Sequence, residues 1–144
     1  MFTFVLENVA QDFPSIGGDI SHFKLLLERL DEPHRIKFCI DTAHAFSYGY
    51  DFSSEQKCNE FVEFLDKAIG IDKICLIHLN DNIEGIGSHI DQHAKLGEGV
   101  IGLDNLKRFA MHPKLKHIPV LTEPPAVLSE ELKMEFQKIV DWNK

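Results

Sequence analysis

Carboxylate and imidazole side chains, which are common ligands of transition-metal ions, recur just after short apolar segments of this 144-residue sequence. Seven of them are candidate metal ligands: Glu7, Asp41, His44, His78, Asp91, His93 and Glu123. Nitrogen and oxygen ligands without thiolate favour zinc or manganese over calcium or magnesium. Seven ligands exceed the four of one tetrahedral zinc ion, so at least two ions are expected. Two ions about 4 Å apart are a common apparatus for cleaving phosphoesters.

Each candidate ligand also has a structural interpretation when it is taken alone. Glu7 could be a helix cap or a solvated loop residue, Asp41 could cap a turn, and His78 could be a hydrogen-bonded core histidine. Separate structural explanations at every one of these positions are less economical than one shared metal centre, which we therefore predict. The remaining histidines are assigned no role: His22, His34, His89, His112 and His117.

Apolar and amphipathic segments alternate along the chain, which predicts β-strands alternating with α-helices. The strands are predicted at residues 2–6, 36–40, 74–77 and 118–121, and the helix patterns lie at 23–30, 61–68, 103–109 and 129–139. Ser53 and Gln56 have the spacing of a capping box for the second helix, and Gly70 ends it. Ser129 is predicted to cap the last helix, whose inward-facing residues are Leu132, Phe136 and Ile139.

Strict alternation of continuous apolar strands with helices predicts a parallel sheet covered by helices. We expect a single domain over residues 1–144 with about four βα units. Such units form the C-terminal half of a TIM-type (βα)8 barrel or, alternatively, a small open doubly wound sheet. The candidate ligands follow the strands, at the face where parallel barrels build their active sites. No glycine-rich phosphate-binding motif follows any strand, which argues against a nucleotide-binding protein.

The net charge of −8 argues against a nucleic-acid-binding protein, because phosphate contacts normally require a basic surface. Metal ions bound at the predicted centre would cancel part of this charge. The three cysteines, Cys39, Cys58 and Cys75, form no C-x-x-C pair and are expected to be reduced. We predict no membrane segment, no secretory leader and an intracellular location, cytoplasmic in a bacterium and otherwise nuclear or viral.

Six motifs span nearly the whole chain: Leu-Glu-Asn at 6–8, Phe-Cys-Ile-Asp-Thr-Ala-His at 38–44, Ile-His-Leu-Asn-Asp at 77–81, Gly-Ser-His-Ile-Asp-Gln-His at 87–93, Leu-Gly-Glu-Gly-Val-Ile-Gly at 96–102 and Leu-Thr-Glu at 121–123. In order and spacing they resemble the C-terminal half of the endonuclease IV family of AP endonucleases. These are zinc enzymes with a (βα)8 barrel of the xylose isomerase-like kind. The run from 78 to 102 is the most specific part of the resemblance.

The resemblance implies a role for each ligand. Glu7 would bridge two of the family's three zinc ions, and the shell of one of those two would be completed by Asp41, His78 and Glu123. The third zinc would be held by His44, Asp91 and His93. Two of the three zinc sites are therefore expected to be complete, with manganese as an alternative metal.

The reaction implied by the resemblance is hydrolysis of the phosphodiester 5′ to an abasic site in double-stranded DNA, a step of base-excision repair. Glu7 and Glu123 would be the catalytic carboxylates, with Glu123 beside the attacking hydroxide as ligand and base. Zinc makes this reaction feasible because it can lower the pKa of bound water to roughly 7.

Two departures from the family pattern weaken the expectation of activity. The family's N-terminal half supplies two further histidine ligands and the loops that enter the minor groove, and this chain is expected to lack them. Ile83 stands where a lysine is usual and Gln92 replaces an arginine, so phosphate affinity should be lower. Because a half-barrel has unpaired edge strands, we expect it to pair with another copy, to join an N-terminal half or to be a truncated product.

Two other functions remain open from the sequence. Xylose isomerase-like sugar isomerases and epimerases use a similar Glu, Asp, His and Glu metal set but do not need the trio of His44, Asp91 and His93. One metal ion per chain and activity on ketoses would favour them. A non-catalytic metal-binding remnant would retain metal but would not cleave an abasic-site duplex, even with a family N-terminal half added.

Overall fold

Strands and helices alternate along the chain in the order that its apolar segments predict. The structure, a computed structural model, describes residues 2–12, 14–125 and 129–143. Its strands are β1 (Phe4–Glu7), β2 (Ile36–Asp41), β3 (Ile74–His78), β4 (Asp81–Asn82), β5 (His93–Ala94) and β6 (Val120–Leu121). Its α-helices are α1 (Ser21–Arg29), α2 (Thr42–Tyr48), α3 (Glu55–Ile69), α4 (Leu103–Ala110) and α5 (Ser129–Val140), and 3-10 turns lie at Pro33–Arg35, Ile71–Lys73 and Asp141–Asn143.

The main sheet has four parallel strands in the order β1-β2-β3-β6. Strands that follow one another along the chain are therefore neighbours in the sheet, and the order does not reverse as it does in a doubly wound fold. This sequential order is the one expected for part of a TIM-type barrel, and it confirms the predicted parallel βα architecture. β4 and β5 form a separate antiparallel pair beyond the end of β3, which the sequence patterns did not predict.

The hydrophobic core lies between the sheet and the helices that cover one of its faces. Phe38, Ile40 and Ile77 are fully buried on that face of the sheet. Aromatic rings from α3, α4 and the loop before α3 meet at its centre: the Phe52 ring lies 5.8 Å from that of Phe61 and 5.4 Å from that of Phe109. Within the described ranges, no helix combines the length and the apolar character needed to cross a membrane.

The opposite face of the sheet exposes apolar side chains. Leu6 packs against the core, so Val5 points to the other face, where it is 50% exposed. Leu121 pairs in register with His78 on that same face and is 45% exposed. In the described part of the chain, β1 pairs only with β2 and β6 only with β3, so both outer strands have an unpaired edge.

Several element boundaries differ from the sequence prediction for local reasons. β1 is Phe4–Glu7 rather than 2–6, and β6 is only Val120–Leu121 rather than 118–121. Ser54, not Ser53, caps α3: its hydroxyl accepts a hydrogen bond from the Lys57 amide at 3.3 Å. The Ser53 amide instead donates to the Asp51 carboxylate at 2.9 Å, so Ser53 belongs to a turn before the helix.

α5 differs from the prediction at one of its three inward-facing residues. Ser129, predicted as the cap, is helical in the described part of the chain; Leu132 is half-buried and Ile139 packs against the core, whereas Phe136 is 41% exposed. Glu135 is buried in its place, because its carboxylate accepts hydrogen bonds from the Leu96 amide at 2.8 Å and from the Lys138 ammonium at 2.7 Å. A satisfied glutamate thus occupies the buried position that the apolar pattern assigns to Phe136.

Candidate metal centre

The seven candidate ligands lie together at the carboxyl end of the sheet. One group has a ligand atom from each member within 4.8 Å of all the others, and we call it the four-residue cluster: Glu7, Asp41, His78 and Glu123. Asp41, His44 and His93 satisfy the same criterion. Asp91 contacts both of these histidines, so the second group, which we call the His44 cluster, contains Asp41, His44, Asp91 and His93.

In the four-residue cluster, three carboxylates converge on one imidazole nitrogen. The His78 Nδ1 atom lies 3.0 Å from Glu7 Oε1, 3.1 Å from Glu123 Oε2 and 3.9 Å from Asp41 Oδ2. A single ring nitrogen can share at most one proton with these oxygens. No lysine or arginine among the described residues forms an ion pair with any of them. The cluster therefore has an excess of negative charge that a cation would neutralise.

In the His44 cluster, both histidines have the orientation of metal ligands. The Nδ1 atom of His44 lies 2.8 Å from the carbonyl oxygen of Asn8, and that of His93 lies 2.9 Å from the carbonyl oxygen of Glu123. Because a carbonyl can only accept, Nδ1 donates a proton in both rings, so Nε2 is the nitrogen available to bind a cation when the ring is neutral. Metal-bound histidines commonly donate their other N–H in this way.

The Nε2 atoms of these two rings face Asp91. They lie 3.1 Å (His44) and 3.2 Å (His93) from its two carboxylate oxygens. Despite this short distance, the buried His93 Nε2 atom forms no hydrogen bond with any described residue. An orphaned imidazole nitrogen beside a carboxylate, with oxygen and nitrogen donors around it, fits a divalent transition-metal ion.

The electrostatic environment of His44 reflects the surrounding carboxylates. Burial alone would lower the pKa of its imidazole, but the charge of Asp41, the Asn8 carbonyl and the charge of Asp91 together raise that pKa above its ordinary value. The carboxylates thus favour positive charge at this position. A bound cation would satisfy the same preference.

Asp41 combines the structural and the ligand interpretations. One carboxylate oxygen, Oδ1, accepts a hydrogen bond from the His44 amide at 2.9 Å and caps α2. The other, Oδ2, faces the histidines of both clusters and accepts from the Asn80 side chain at 2.7 Å. The sequence patterns missed α2, although Asp41 before it and Gly49 after it are typical helix-end residues.

Two buried asparagines that sequence reasoning did not select lie behind the ligands. The side chain of Asn8 joins the ends of β1 and β2: its Oδ1 accepts from the Asp41 amide at 2.8 Å, and its Nδ2 donates to the Asp41 carbonyl at 3.1 Å. Asn80 contacts both Asp41 and Glu123. Both asparagines lie within the motifs already singled out, and an amide following a buried strand was the available signal.

Two other residues, Cys39 and His89, lie near the candidate ligands. The Cys39 Sγ atom lies within 4.8 Å of ligand atoms of Glu7 and His78, but burial raises the pKa of its thiol to about 12, with a further contribution from Glu7. Burial thus favours the protonated thiol, whereas coordination to a metal ion would deprotonate it. The Nδ1 atom of His89 lies 3.2 Å from the Ala10 carbonyl rather than on a candidate ligand.

A cavity of about 620 Å³ opens beside the centre. His93 and Glu123 form part of its wall, and the rest is lined mainly by apolar or neutral residues that include Ile83 and Gln92. Lys95 also lines it, but its ammonium is paired with Glu131 at 3.0 Å. The cavity therefore reaches the candidate ligands without a strongly basic surface around it, as the sequence departures at Ile83 and Gln92 indicate.

Comparison with known proteins places the chain in a family. Residues 2–139 match the family model described as a xylose isomerase-like TIM barrel. The sequence is 40% identical over 124 residues to a "Probable endonuclease 4" of Thermosipho africanus, a match that covers 85% of this chain and 44% of that protein. It is 38% identical over 135 residues to the protein of the same description from Clostridium beijerinckii, covering 92% of this chain and 48% of that protein.

A solved structure agrees with the sequence relatives. The crystal structure of endonuclease IV from Thermus thermophilus superposes with a TM-score of 0.83 at 31% sequence identity, covering 96% of this chain and 49% of that chain. The present chain thus spans about half the length of the curated relatives that it matches. It belongs to the xylose isomerase-like TIM barrel family, and the resemblance of its motifs to endonuclease IV is confirmed.

Proposed function

We propose that the chain is the metal-bearing half of a zinc-dependent AP endonuclease, which cleaves the DNA phosphodiester 5′ to an abasic site in base-excision repair. The observation that carries the proposal is the pair of adjoining clusters that share Asp41 at the carboxyl end of the sheet. The relatives described as endonuclease 4 support the same assignment. Such an enzyme acts on DNA inside the cell, so an intracellular location is part of the proposal.

The donor set suits zinc, with manganese as the alternative metal. When bound, zinc would act as a Lewis acid toward the phosphoryl group and would lower the pKa of water to roughly 7. Two divalent cations would also balance the four carboxylates of the two clusters, Glu7, Asp41, Asp91 and Glu123. This neutralisation would reduce the repulsion between a chain of net charge −8 and the phosphates of DNA.

The chain's carboxylates differ in what they can do. The Asp41 side chain is fully buried and held by two hydrogen bonds, so it serves as a fixed ligand. Glu7 Oε1 lies 3.0 Å from His78 Nδ1 and 3.5 Å from His44 Nδ1, between the two clusters. The Glu123 side chain is 45% exposed and lines the cavity, so among these three it is the best placed to accept a proton from a nucleophile.

The His44 cluster favours this function over a sugar isomerase. An isomerase of the same family would need the four-residue cluster but not a separate site of two histidines and an aspartate. In the present fold, Asp91 contacts the Nε2 atoms of both His44 and His93. This second group of ligand-like side chains supports phosphoester hydrolysis with more than one metal ion.

An incision assay tests the proposed activity. A duplex with one abasic-site analogue is incubated with the chain in zinc, in manganese and in a chelator, alone and with the N-terminal half of an endonuclease IV relative. We expect metal-dependent incision 5′ to the lesion when the second half is present, and no detectable incision by the Glu123→Gln variant. Absence of incision by the unmodified chain in every condition, with zinc bound, would leave a non-catalytic metal-binding protein.

The open face of the sheet predicts association. We propose that a second four-strand half-barrel covers it, because Val5 and Leu121 are exposed there and both outer strands have unpaired edges in the described residues. In size-exclusion chromatography with light scattering, we expect the isolated chain to associate with itself at rising concentration. An added N-terminal half should replace this self-association by a one-to-one complex.

A matched pair of variants localises the association. Val5→Lys places a charge on the open face and should reduce association, whereas Leu25→Lys, at a 48% exposed position on α1, should not. The proposed association would be contradicted if the chain stayed monomeric at every concentration and did not bind the added N-terminal half.

A further inference from the structure

Asn80 lies two residues beyond His78, is 2% exposed and is not among the candidate ligands. We propose that Asn80 is the positioning residue of the four-residue cluster, where it holds Asp41 and Glu123 in the geometry that binds metal. This inference rests on the proposed function only in assigning metal binding to that cluster. It adds a role for a residue that would not itself touch the metal.

The contacts of Asn80 use both polar atoms of its side chain. Its Nδ2 donates to Asp41 Oδ2 at 2.7 Å and to Glu123 Oε2 at 3.2 Å, and its Oδ1 accepts from the Glu123 amide at 2.7 Å. The orientation of the amide follows from these partners. A backbone N–H can only donate, so the oxygen must face it and the NH2 group must face the two carboxylates.

Asn80 is itself held rigidly by α2. The backbone N–H of Asn80 donates to the Thr42 hydroxyl at 2.9 Å, and that hydroxyl donates to the backbone carbonyl of Asn80 at 2.7 Å. Thr42 is the residue next to Asp41, so the two sides of the cluster are joined through buried hydrogen bonds. A ligand-positioning group must have a fixed orientation of its own, and Asn80 meets this requirement.

The chemistry of an amide suits this position. Asp41 and Glu123 repel each other, and a neutral donor between them compensates part of their charge without occupying the place of a cation. An aspartate at position 80 would add a further negative charge and remove both donors, whereas a lysine would bring a competing cation. Asparagine supplies two donors on one side and an acceptor on the other, at no net charge.

The segment also contains a matched control. Asn82 is buried like Asn80, and its side-chain amide also makes three hydrogen bonds: to the Ser47 hydroxyl at 2.7 Å, to the Glu84 carbonyl at 2.9 Å and from the Gln92 amide at 3.1 Å. None of these partners belongs to the four-residue cluster. Loss of Asn82 should therefore perturb the fold as much as loss of Asn80 without affecting that cluster directly.

Metal titration distinguishes positioning from stability. Zinc affinity is measured by competition with a chromophoric chelator for the unmodified chain and for the variants Asn80→Ala, Asn80→Ser, Asn82→Ala and Glu123→Gln. Because Glu123 belongs only to the four-residue cluster, the zinc ion whose binding weakens in Glu123→Gln is the one bound by that cluster. We expect Asn80→Ala to lower the zinc affinity of the four-residue cluster by about 10–100-fold, the usual effect of removing a hydrogen-bond partner of a metal ligand. Asn80→Ser should give a smaller loss, and Asn82→Ala should leave that affinity unchanged.

The visible spectrum of bound Co²⁺ provides a second readout, because it reports the ligand geometry rather than the stability of the fold. The signal from the four-residue cluster should change in Asn80→Ala and remain unchanged in Asn82→Ala. Wild-type affinity and spectrum in a folded Asn80→Ala or Asn80→Ser variant would overturn the proposal, as would equal losses in Asn80→Ala and Asn82→Ala. These measurements do not involve DNA, so failure of the incision assay would be a separate result.

Discussion

Replacing Asp41 with asparagine should weaken metal binding at both clusters, whereas His44→Gln and Glu123→Gln should each weaken only one. Asp41 is the member that the two groups share: its Oδ2 atom lies 3.9 Å from His78 Nδ1 and 3.8 Å from His93 Nε2. The asparagine oxygen can still accept from the His44 amide and cap α2, so the helix should remain. The charge that faces both clusters is lost.

The measurement is the number of zinc ions per chain and their affinities, determined by elemental analysis after gel filtration and by chelator competition. We expect the zinc affinity of both clusters to fall on the order of 100-fold or more in Asp41→Asn, because losing a metal ligand should lower the affinity more than losing a hydrogen bond to a ligand. Circular dichroism checks that the variant is folded. Wild-type affinity at either cluster in folded Asp41→Asn would show that the clusters do not share this residue.

Phe109→Ala should cause a large loss of stability in the aromatic part of the core. Phe109 is fully buried, and its ring centroid lies 5.4 Å from that of Phe52 and 5.7 Å from that of Phe61. Truncation of such a ring removes apolar burial and leaves a cavity, at a cost of about 3–5 kcal/mol. Since small domains are stable by only about 5–15 kcal/mol, this loss is a large share of the total.

Phe136→Ala is the matched control. Phe136 lies on α5 and is 41% exposed, so its truncation should cost about 1 kcal/mol or less. Urea denaturation followed by circular dichroism measures the free energy of unfolding of both variants. Equal losses would mean that Phe136 is as buried as its apolar spacing in the sequence predicts and that the orientation of α5 is different.

The order of strands and helices was predictable because it is a local property. Apolar residues at helical spacing on Phe61, Leu65 and their neighbours indicate α3, and continuous apolar residues such as Phe38 and Ile40 indicate β2. The position of the candidate site followed from the same reasoning, because the carboxyl ends of parallel strands meet at one edge of the sheet.

The features that were missed depend on contacts between distant parts of the chain. Glu135 is buried only because the Leu96 amide, 39 residues earlier, and the Lys138 ammonium satisfy its carboxylate. Nothing near Glu135 in the sequence signals the Leu96 partner. The choice of Ser54 over Ser53 as the cap of α3 depends on the turn at Asp51, and the short pair of β4 and β5 depends on the folding of the loop between them.

The sequence by itself determined which residue types occupy the strand ends, and those types are enough to indicate a nitrogen and oxygen metal centre of the endonuclease IV kind. Only the tertiary structure decided that Asp41 faces both clusters, that the Asn8 and Glu123 carbonyls orient the rings of His44 and His93 so that Nε2 faces Asp91, and that Asn80 stands between two carboxylates. The physical reason is distance: these partners are far apart along the chain, and their separations are set by how the strands and helices pack rather than by any local pattern.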